Sequence, residues 1–150
     1  MNGLYYGELA LGMVFEHALR RTVTETDNVL FCTLTHNPSP LHLDAEYMKG
    51  TEFGQRLVNS CLTLSIMVGV AVGDTAMGSS IANLGWEAIT FPKPVFHGDT
   101  LRFQTEVTGL RDSNSRPDAG IVTFEHRAYN QRGELVASCR RLALVRKTPL

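Results

Sequence analysis

The sequence predicts an α+β fold in which an antiparallel sheet wraps one long apolar helix, and two observations carry that reading. From Asn59 or Ser60, either a good N-cap, the chain runs Cys61-Leu62-Thr63-Leu64-Ser65-Ile66-Met67-Val68-Gly69-Val70-Ala71-Val72. This stretch is apolar on almost every side, the pattern of a helix buried all round. After Gly73 come four stretches rich in β-branched and aromatic residues: Ile81 to Phe91, Thr100 to Leu110, Ile121 to Tyr129 and Leu135 to Val145. They read as strands. Pro92 to Pro94 with Gly98-Asp99, then Asp112 to Gly120, then the hairpin Asn130-Gln131-Arg132-Gly133 supply the turns, so consecutive antiparallel pairing is expected. One helix followed by a run of strands is the α+β arrangement.

The elements ahead of the long helix are shorter. Phe15, Leu19 and Val23 fall on one face of a strand across Met13 to Val23. Thr24 with Asp27 has the form of a capping box, so a short helix is expected from there to about Thr35. The stretch His36-Asn37-Pro38-Ser39-Pro40-Leu41-His42 reads as a stiff loop, since each proline holds its predecessor extended and withholds a donor. Asp44 caps a brief helix through Lys49, and Gly50 stands where a left-handed terminator is expected.

Composition bounds the function. At 150 residues, 43% hydrophobic, 19% charged and a net charge of −1, the chain is one domain of ordinary character with no basic excess for nucleic acid. Cys32, Cys61 and Cys139 are odd in number, far apart and in apolar company, which suggests neither a disulfide framework nor a metal site and fits a reducing cytoplasm. Residues 1–12 contain Glu8, lack the basic start of a secretory signal and read as an N-terminal extension. Leu62 to Val72 is too short to cross a bilayer.

The segment Thr35-His36-Asn37-Pro38-Ser39-Pro40-Leu41-His42-Leu43-Asp44 resembles the motif of the MaoC-like, or R-specific enoyl-CoA hydratase, family of hot-dog proteins. That motif reads roughly Ser-Gly-Asp-x-Asn-Pro-hydrophobic-His-x-Asp, and the proline, histidine and final aspartate fall in register. Asn59-Ser60 matches the family's His-Gly at the start of the long helix, and Phe91 to Asp99 looks like its proline, glycine and aspartate turn. Leu57-Val58-Asn59-Ser60, Ala82-Asn83-Leu84-Gly85-Trp86 and Ser115-Arg116-Pro117 look like the branch that holds itaconyl-CoA, mesaconyl-CoA and β-methylmalyl-CoA hydratases.

The resemblance implies a single hot-dog domain with a short helical overhang before the central helix. It also implies a hydratase or dehydratase acting across the 2,3 bond of a short acyl-CoA, with coenzyme A only as part of the substrate, and a homodimer or an assembly of dimers. His42 is the implied acid and base. Asn37 stands where the family has a second, aspartate partner, and an amide cannot accept a proton near neutral pH. Asn37 is therefore expected to orient water, and the exchange suits a dicarboxylic acyl group that a second carboxylate would repel. The backbone N–H of Ser60 is the expected donor to the thioester oxygen, since amides at a helix N-terminus suit developing negative charge. Asn59 and Arg116 are weaker candidates for binding substrate or coenzyme A.

Structural readings stand beside these. A lone histidine after two prolines is more often a surface or packing residue, Asn37 alone would be a turn residue, and Asp44 is fully accounted for as a cap. His36, next to Asn37, is a remote candidate acid or base. Arg116 in a polar loop is ordinarily solvated, and Arg140, Arg141 and Arg146 read as the exposed face of a strand. His97-Gly98-Asp99 reads as a turn, and Trp86 as a core or interface aromatic. The position matching Val68 is a helpful serine in some relatives. Two other functions stay open: a thioesterase, for which Val58 to Gly73 offers no carboxylate and Glu46 or Glu52 would have to approach, and a non-catalytic acyl-CoA binder.

Overall fold

The computed structural model describes residues 3–150. A 3-10 turn at Tyr6–Glu8 is followed by β1 (Val14–Glu16), β2 (Arg21–Thr22), α1 (Glu25–Leu34), α2 (Pro40–Leu43), α3 (Ala45–Lys49) and α4 (Ser60–Thr75). Four long strands complete the chain: β3 (Ser80–Thr90), β4 (Thr100–Asp112), β5 (Ala119–Tyr129) and β6 (Leu135–Arg146). They form an antiparallel sheet in the order β1-β4-β5-β6-β3, with β2 also on β4. The sheet curls partly around α4, the hot-dog arrangement expected from the sequence. The Thr24–Asp27 capping box starts α1.

The core has two apolar parts. Leu62 and Met67 of α4 pack with Leu101, Phe103, Ala128, Ala137 and Cys139 of the sheet. Towards and beyond the C-terminus of α4, Val107, Val122, Phe124, Ala143 and Val145 pack instead against the first residues of the chain, Leu4, Tyr6, Leu9 and Met13. The part of the presumed extension that is described is thus packed in place. The N–H groups of Gly3 and Leu4 donate to the carbonyls of Met77 and Thr75, each at 3.0 Å. A Cβ on Gly120 would lie 2.2 Å from the Tyr6 ring, so glycine there lets the aromatic lie on the sheet.

Between the two apolar parts runs a buried polar layer. Arg141 Nε donates to His126 Nε2 (3.2 Å), and His126 Nδ1 lies 2.8 Å from Thr105 Oγ1. The Thr105 hydroxyl is 2.8 Å from His17 Nε2, and His17 Nδ1 is 2.6 Å from the Asp74 carboxylate. An arginine can only donate and a carboxylate only accepts, so with both imidazoles neutral every proton in the chain points from Arg141 towards Asp74. Arg141 is 5% exposed, which corrects its reading as a surface residue. Alternation along β6 turns Cys139, Arg141 and Ala143 inward together.

Four other expectations change. Met13 to Val23 is two short strands: His17 N–H still donates to the Phe103 carbonyl of β4 (3.1 Å), pairing resumes at Arg21, and Leu19 between them is exposed. Pro40 begins a helical turn, so His42 sits on α2 instead of a loop: Ser39 caps it, and proline is tolerated at the first helical position. Gly50 has φ −84°, and the left-handed turn falls at Gly54, φ +67°. Finally, α4 is buried on one side only, with Cys61, Ser65 and Gly69 exposed along the other.

Burial, then the neighbouring Arg141 and His17, pushes the His126 imidazole down to about 3. An unfolded chain takes up that proton near pH 6.5, whereas the folded chain resists until about pH 3, so acidification between those values favours unfolding. Stability is expected to fall by roughly 2 kcal/mol between pH 7.5 and 5 from this residue alone. Urea denaturation at both pH values, with His126→Gln alongside, checks it; equal pH dependence in the two proteins would remove His126 as the cause.

Candidate functional site

A cavity of about 580 Å³ opens where α2, the start of α4 and the Phe91 to Val95 segment meet. Its walls are largely apolar, built from Leu41, Phe53, Leu57, Val58, Phe91, Pro92, Pro94, Val95 and Val136. The polar side chains on them are those of His42, Ser60, Thr63 and Lys93, and no carboxylate is among the lining residues.

The segment Leu57 to Asn59 organises this cavity. Leu57 N–H donates to the Leu41 carbonyl (2.9 Å) and Val58 N–H to the Val95 carbonyl (2.8 Å). His42 Nδ1 is 2.9 Å from the Leu57 carbonyl oxygen. A carbonyl only accepts, so Nδ1 carries the proton of this bond and, in the neutral ring, Nε2 carries the lone pair. Nε2 has no hydrogen-bond partner among the described residues.

At the start of α4, Asn59 is the N-cap. Its side-chain oxygen accepts from Cys61 N–H (2.9 Å), and its backbone carbonyl accepts from the N–H groups of Leu62 and Thr63. The Ser60 N–H alone among the first four is left without an acceptor in the described residues. Thr63 is another lining residue, and its hydroxyl is buried without a partner among the described residues, a state that costs about 1–3 kcal/mol.

The other candidates from sequence lie elsewhere. Asn37 is outside the cavity wall, and its side-chain oxygen accepts from Ser39 N–H at 3.0 Å, a turn that leads into α2. His36 has φ +54° and ends α1: its N–H and that of Asn37 return to the carbonyls of Thr33 and Cys32, a Schellman closure that delivers Asn37 to its turn. Asn59 spends its side chain on the cap and on Cys32 Sγ. Arg116 is bound in a two-pronged pair to Asp118, in the loop between β4 and β5, at the other end of the sheet from the cavity residue Val136. Glu46 pairs with Lys49 on the surface, and neither it nor Glu52 lines the cavity.

Sequence reasoning missed Asn28. Fully buried on α1, it donates to the Leu57 carbonyl (3.0 Å) and to His97 Nε2 (3.0 Å), and accepts from Asn59 N–H (2.8 Å). The bond to His97 requires a bare Nε2, and burial followed by the nearby Arg56 cation lowers the tendency of His97 to protonate. One signal was available: an asparagine inside a helix, where it is a poor former, usually has a specific partner.

Replacing Asn28 with leucine removes support from both the His42 acceptor and the α4 cap. Stability is expected to fall by about 2–3 kcal/mol, as for other buried groups left unsatisfied. Long-range proton–nitrogen spectra of the neutral ring are expected to show His42 held with its proton on Nδ1 in the parent and mixed between tautomers in Asn28→Leu. A parent already mixed would refute the geometry.

Residues 8–130 match the family described as the MaoC like domain. The mesaconyl-CoA hydratase of Cereibacter sphaeroides is 32% identical over 97% of this chain and 42% of its own length. The β-methylmalyl-CoA dehydratase of Chloroflexus aurantiacus is 31% identical over 97% and 41%. The chain therefore spans about two fifths of these two relatives. The (R)-specific enoyl-CoA hydratase of Aeromonas caviae is 32% identical over 72% of this chain and 75% of its own. Among solved structures, a monoamine oxidase regulatory protein from Archaeoglobus superposes with TM-score 0.88 at 39% identity, over 99% of this chain and 98% of that one. With the family match covering most of the chain and full-length structural agreement beside it, the chain belongs to the MaoC-like domain family.

Proposed function

We propose that the chain adds water to, or removes it from, the 2,3 bond of a short acyl-CoA thioester, with His42 as acid and base. The observation that carries this is the His42 Nδ1 bond to the Leu57 carbonyl, which leaves Nε2 bare on a residue that lines the cavity together with Ser60, whose N–H is also without an acceptor. In hydration, Nε2 takes a proton from water as the water oxygen bonds to C3. The electron pair of the double bond moves towards the thioester, whose oxygen gains charge and is met by the Ser60 N–H at the positive end of α4. The imidazolium then returns its proton to C2 on the same face. Dehydration is the reverse. Asn37, outside the cavity wall, acts through the turn that carries α2.

The acyl group we propose is a branched dicarboxylic one. Support comes from the two relatives that cover 97% of the chain, which are named for mesaconyl-CoA and β-methylmalyl-CoA. A cavity with one lysine and no carboxylate does not repel an anion.

Hydration is followed as loss of conjugated thioester absorbance with mesaconyl-, itaconyl- and crotonyl-CoA, with free thiol measured in parallel. His42→Ala is expected to lose at least about a hundredfold in kcat/KM, in the range of general acid–base catalysis. Asn37→Asp is expected to shift preference towards crotonyl-CoA. Thiol release instead of hydration would mean a thioesterase, and binding with neither reaction a non-catalytic subunit.

We also propose a homodimer formed through β3. That strand is one edge of the sheet and exposes Leu84, Trp86 and Ile89, and Phe91, directly after it, is exposed as well and shared with the cavity wall. Light scattering after gel filtration is expected to give twice the 16.6 kDa chain mass and a monomer for Leu84→Arg with Ile89→Arg. A dimer that survives both changes would place the interface elsewhere.

A further inference from the structure

We infer that a second cavity, on the outer face of the sheet, binds the phosphate group of a small phosphorylated ligand. It measures about 340 Å³, a volume suited to a small molecule, and is lined by Arg20, Arg102 and Arg132 with no carboxylate among the lining residues. All three side chains can be reached from outside: Arg20 and Arg132 are exposed, and Arg102 is partly so. Along β4, Leu101 and Phe103 enter the core, so Thr100 and Arg102 on the cavity wall face away from α4. The cavity is therefore separate from the one that His42 lines, and the inference does not rest on the hydratase reading.

The chain does not balance the charge it gathers there. Further along the same face Arg127 is met by Glu106 at 3.1 Å and Glu125 at 2.6 Å, and Arg21 by Asp27 at 2.6 Å. Arg20 and Arg102 have no carboxylate partner among the described residues. Two of the guanidinium groups are held in place. That of Arg102 lies 4.2 Å from the ring centroid of Tyr129, its partner across the strands. Arg132 donates from Nε to Glu134 (2.9 Å), with Asp99 3.6 Å from Nη1, in a hairpin turn that closes on Gly133, φ +79°. A concave site with converging, partly uncompensated guanidinium groups suits a compact anion with several oxygens. Phosphate carries close to two charges at neutral pH and offers three acceptor oxygens, enough for more than one arginine, whereas a carboxylate offers two oxygens and one charge. Two sources present that group: the nucleotide end of an acyl-CoA, since the β5–β6 hairpin places Gly133 on this cavity and Val136 on the first, or a separate phosphorylated molecule.

Calorimetry with adenosine 3′,5′-bisphosphate and with inorganic phosphate tests this independently of catalysis, with adenosine as the uncharged control. The parent is expected to bind the phosphate probes and not adenosine. Arg20→Gln with Arg102→Gln is expected to weaken the bisphosphate about tenfold or more, the effect of losing charge-assisted hydrogen bonds. Arg20→Gln alone, at an exposed side chain, is expected to weaken it in the same direction at an unchanged melting temperature, which keeps the test intact if the double variant fails to fold. Arg111→Gln, which removes the same charge near the far end of β4, is expected to bind as the parent does. Displacement of the bisphosphate by butyryl-CoA but not by butyryl-pantetheine would support the site and identify the nucleotide end of the thioester as its ligand; simultaneous binding would support it with a separate phosphorylated molecule. Binding of neither phosphate probe, equal binding of adenosine, an affinity unchanged by the Arg20 and Arg102 substitutions, or an equal loss in Arg111→Gln would overturn the inference. Phosphate binding at these arginines in a protein that hydrates no thioester would leave it standing and overturn the hydratase reading alone.

Discussion

The carbonyl oxygen of Leu57 accepts from two side chains that the rest of the cavity depends on, Asn28 and His42. Through Asn28 the bond reaches back to α1 and onward to the cap of α4; through His42 it fixes a tautomer. The flanking amides of Leu57 and Val58 tie the same strand of backbone to α2 and to the segment before Phe96. Three pieces of chain distant in sequence are thus registered on three residues of main chain at the start of α4. Because the acceptor is backbone, the side chain at position 57 is free to form apolar wall. The cost is that Asn28 has no close substitute: its amide donates twice and accepts once, whereas a hydroxyl has a single proton to donate and an ionised carboxylate or an aliphatic side chain has none.

A geometric mismatch explains the two-part core. α4, at 16 residues, is about 24 Å long. The 13 residues of β4 extend to roughly 44 Å. A sheet that wraps such a helix overhangs it, and the overhang is filled by Leu4, Tyr6, Leu9 and Met13 from the beginning of the chain. The polar layer lies where helix gives way to this filler, with Asp74 and Thr75 in the last turn of α4. His17, Thr105 and His126 are each hydrogen-bonded on both sides within it, whereas Arg141 donates through Nε and leaves a buried Nη2 without a partner among the described residues.

The sequence made the local features legible. Four strands fall within one or two residues of the observed ends, and the Thr24 and Asp44 caps and the long helix are where side-chain chemistry puts them. His42 was legible from its motif and stands on the cavity wall. Features that depend on register were not. Nothing local distinguishes Arg141 from the exposed Arg140; only pairing of β6 with β5 places it against His126. Asn28 and Thr63 acquire meaning only when helix, loop and cavity are together, since their partners, or the lack of one, come from residues far along the chain. The segment at His36 to His42 was half legible: proline restricts the backbone, but proline at the first position also starts a helix, and Ser39 decides between the two.

Asn37 connects the departure from the family motif to the charge of the whole cavity. An aspartate there would put a negative charge in the turn that leads into α2, disfavouring an anionic acyl group in the neighbouring cavity. With asparagine, the loop keeps its turn through the same side-chain oxygen, and the negative charge is gone. The base is then oriented by a neutral carbonyl, and the helix start supplies an N–H. The other polar side chains of the lining residues are those of Ser60, Thr63 and Lys93. Each of these either donates or is positive, except the bare nitrogen of His42. In the proposed reaction that nitrogen must hold a proton only between its removal from water and its return to carbon, so one imidazole suffices if it cannot turn. The bond to Leu57 that keeps it from turning is therefore what makes the loss of the aspartate tolerable.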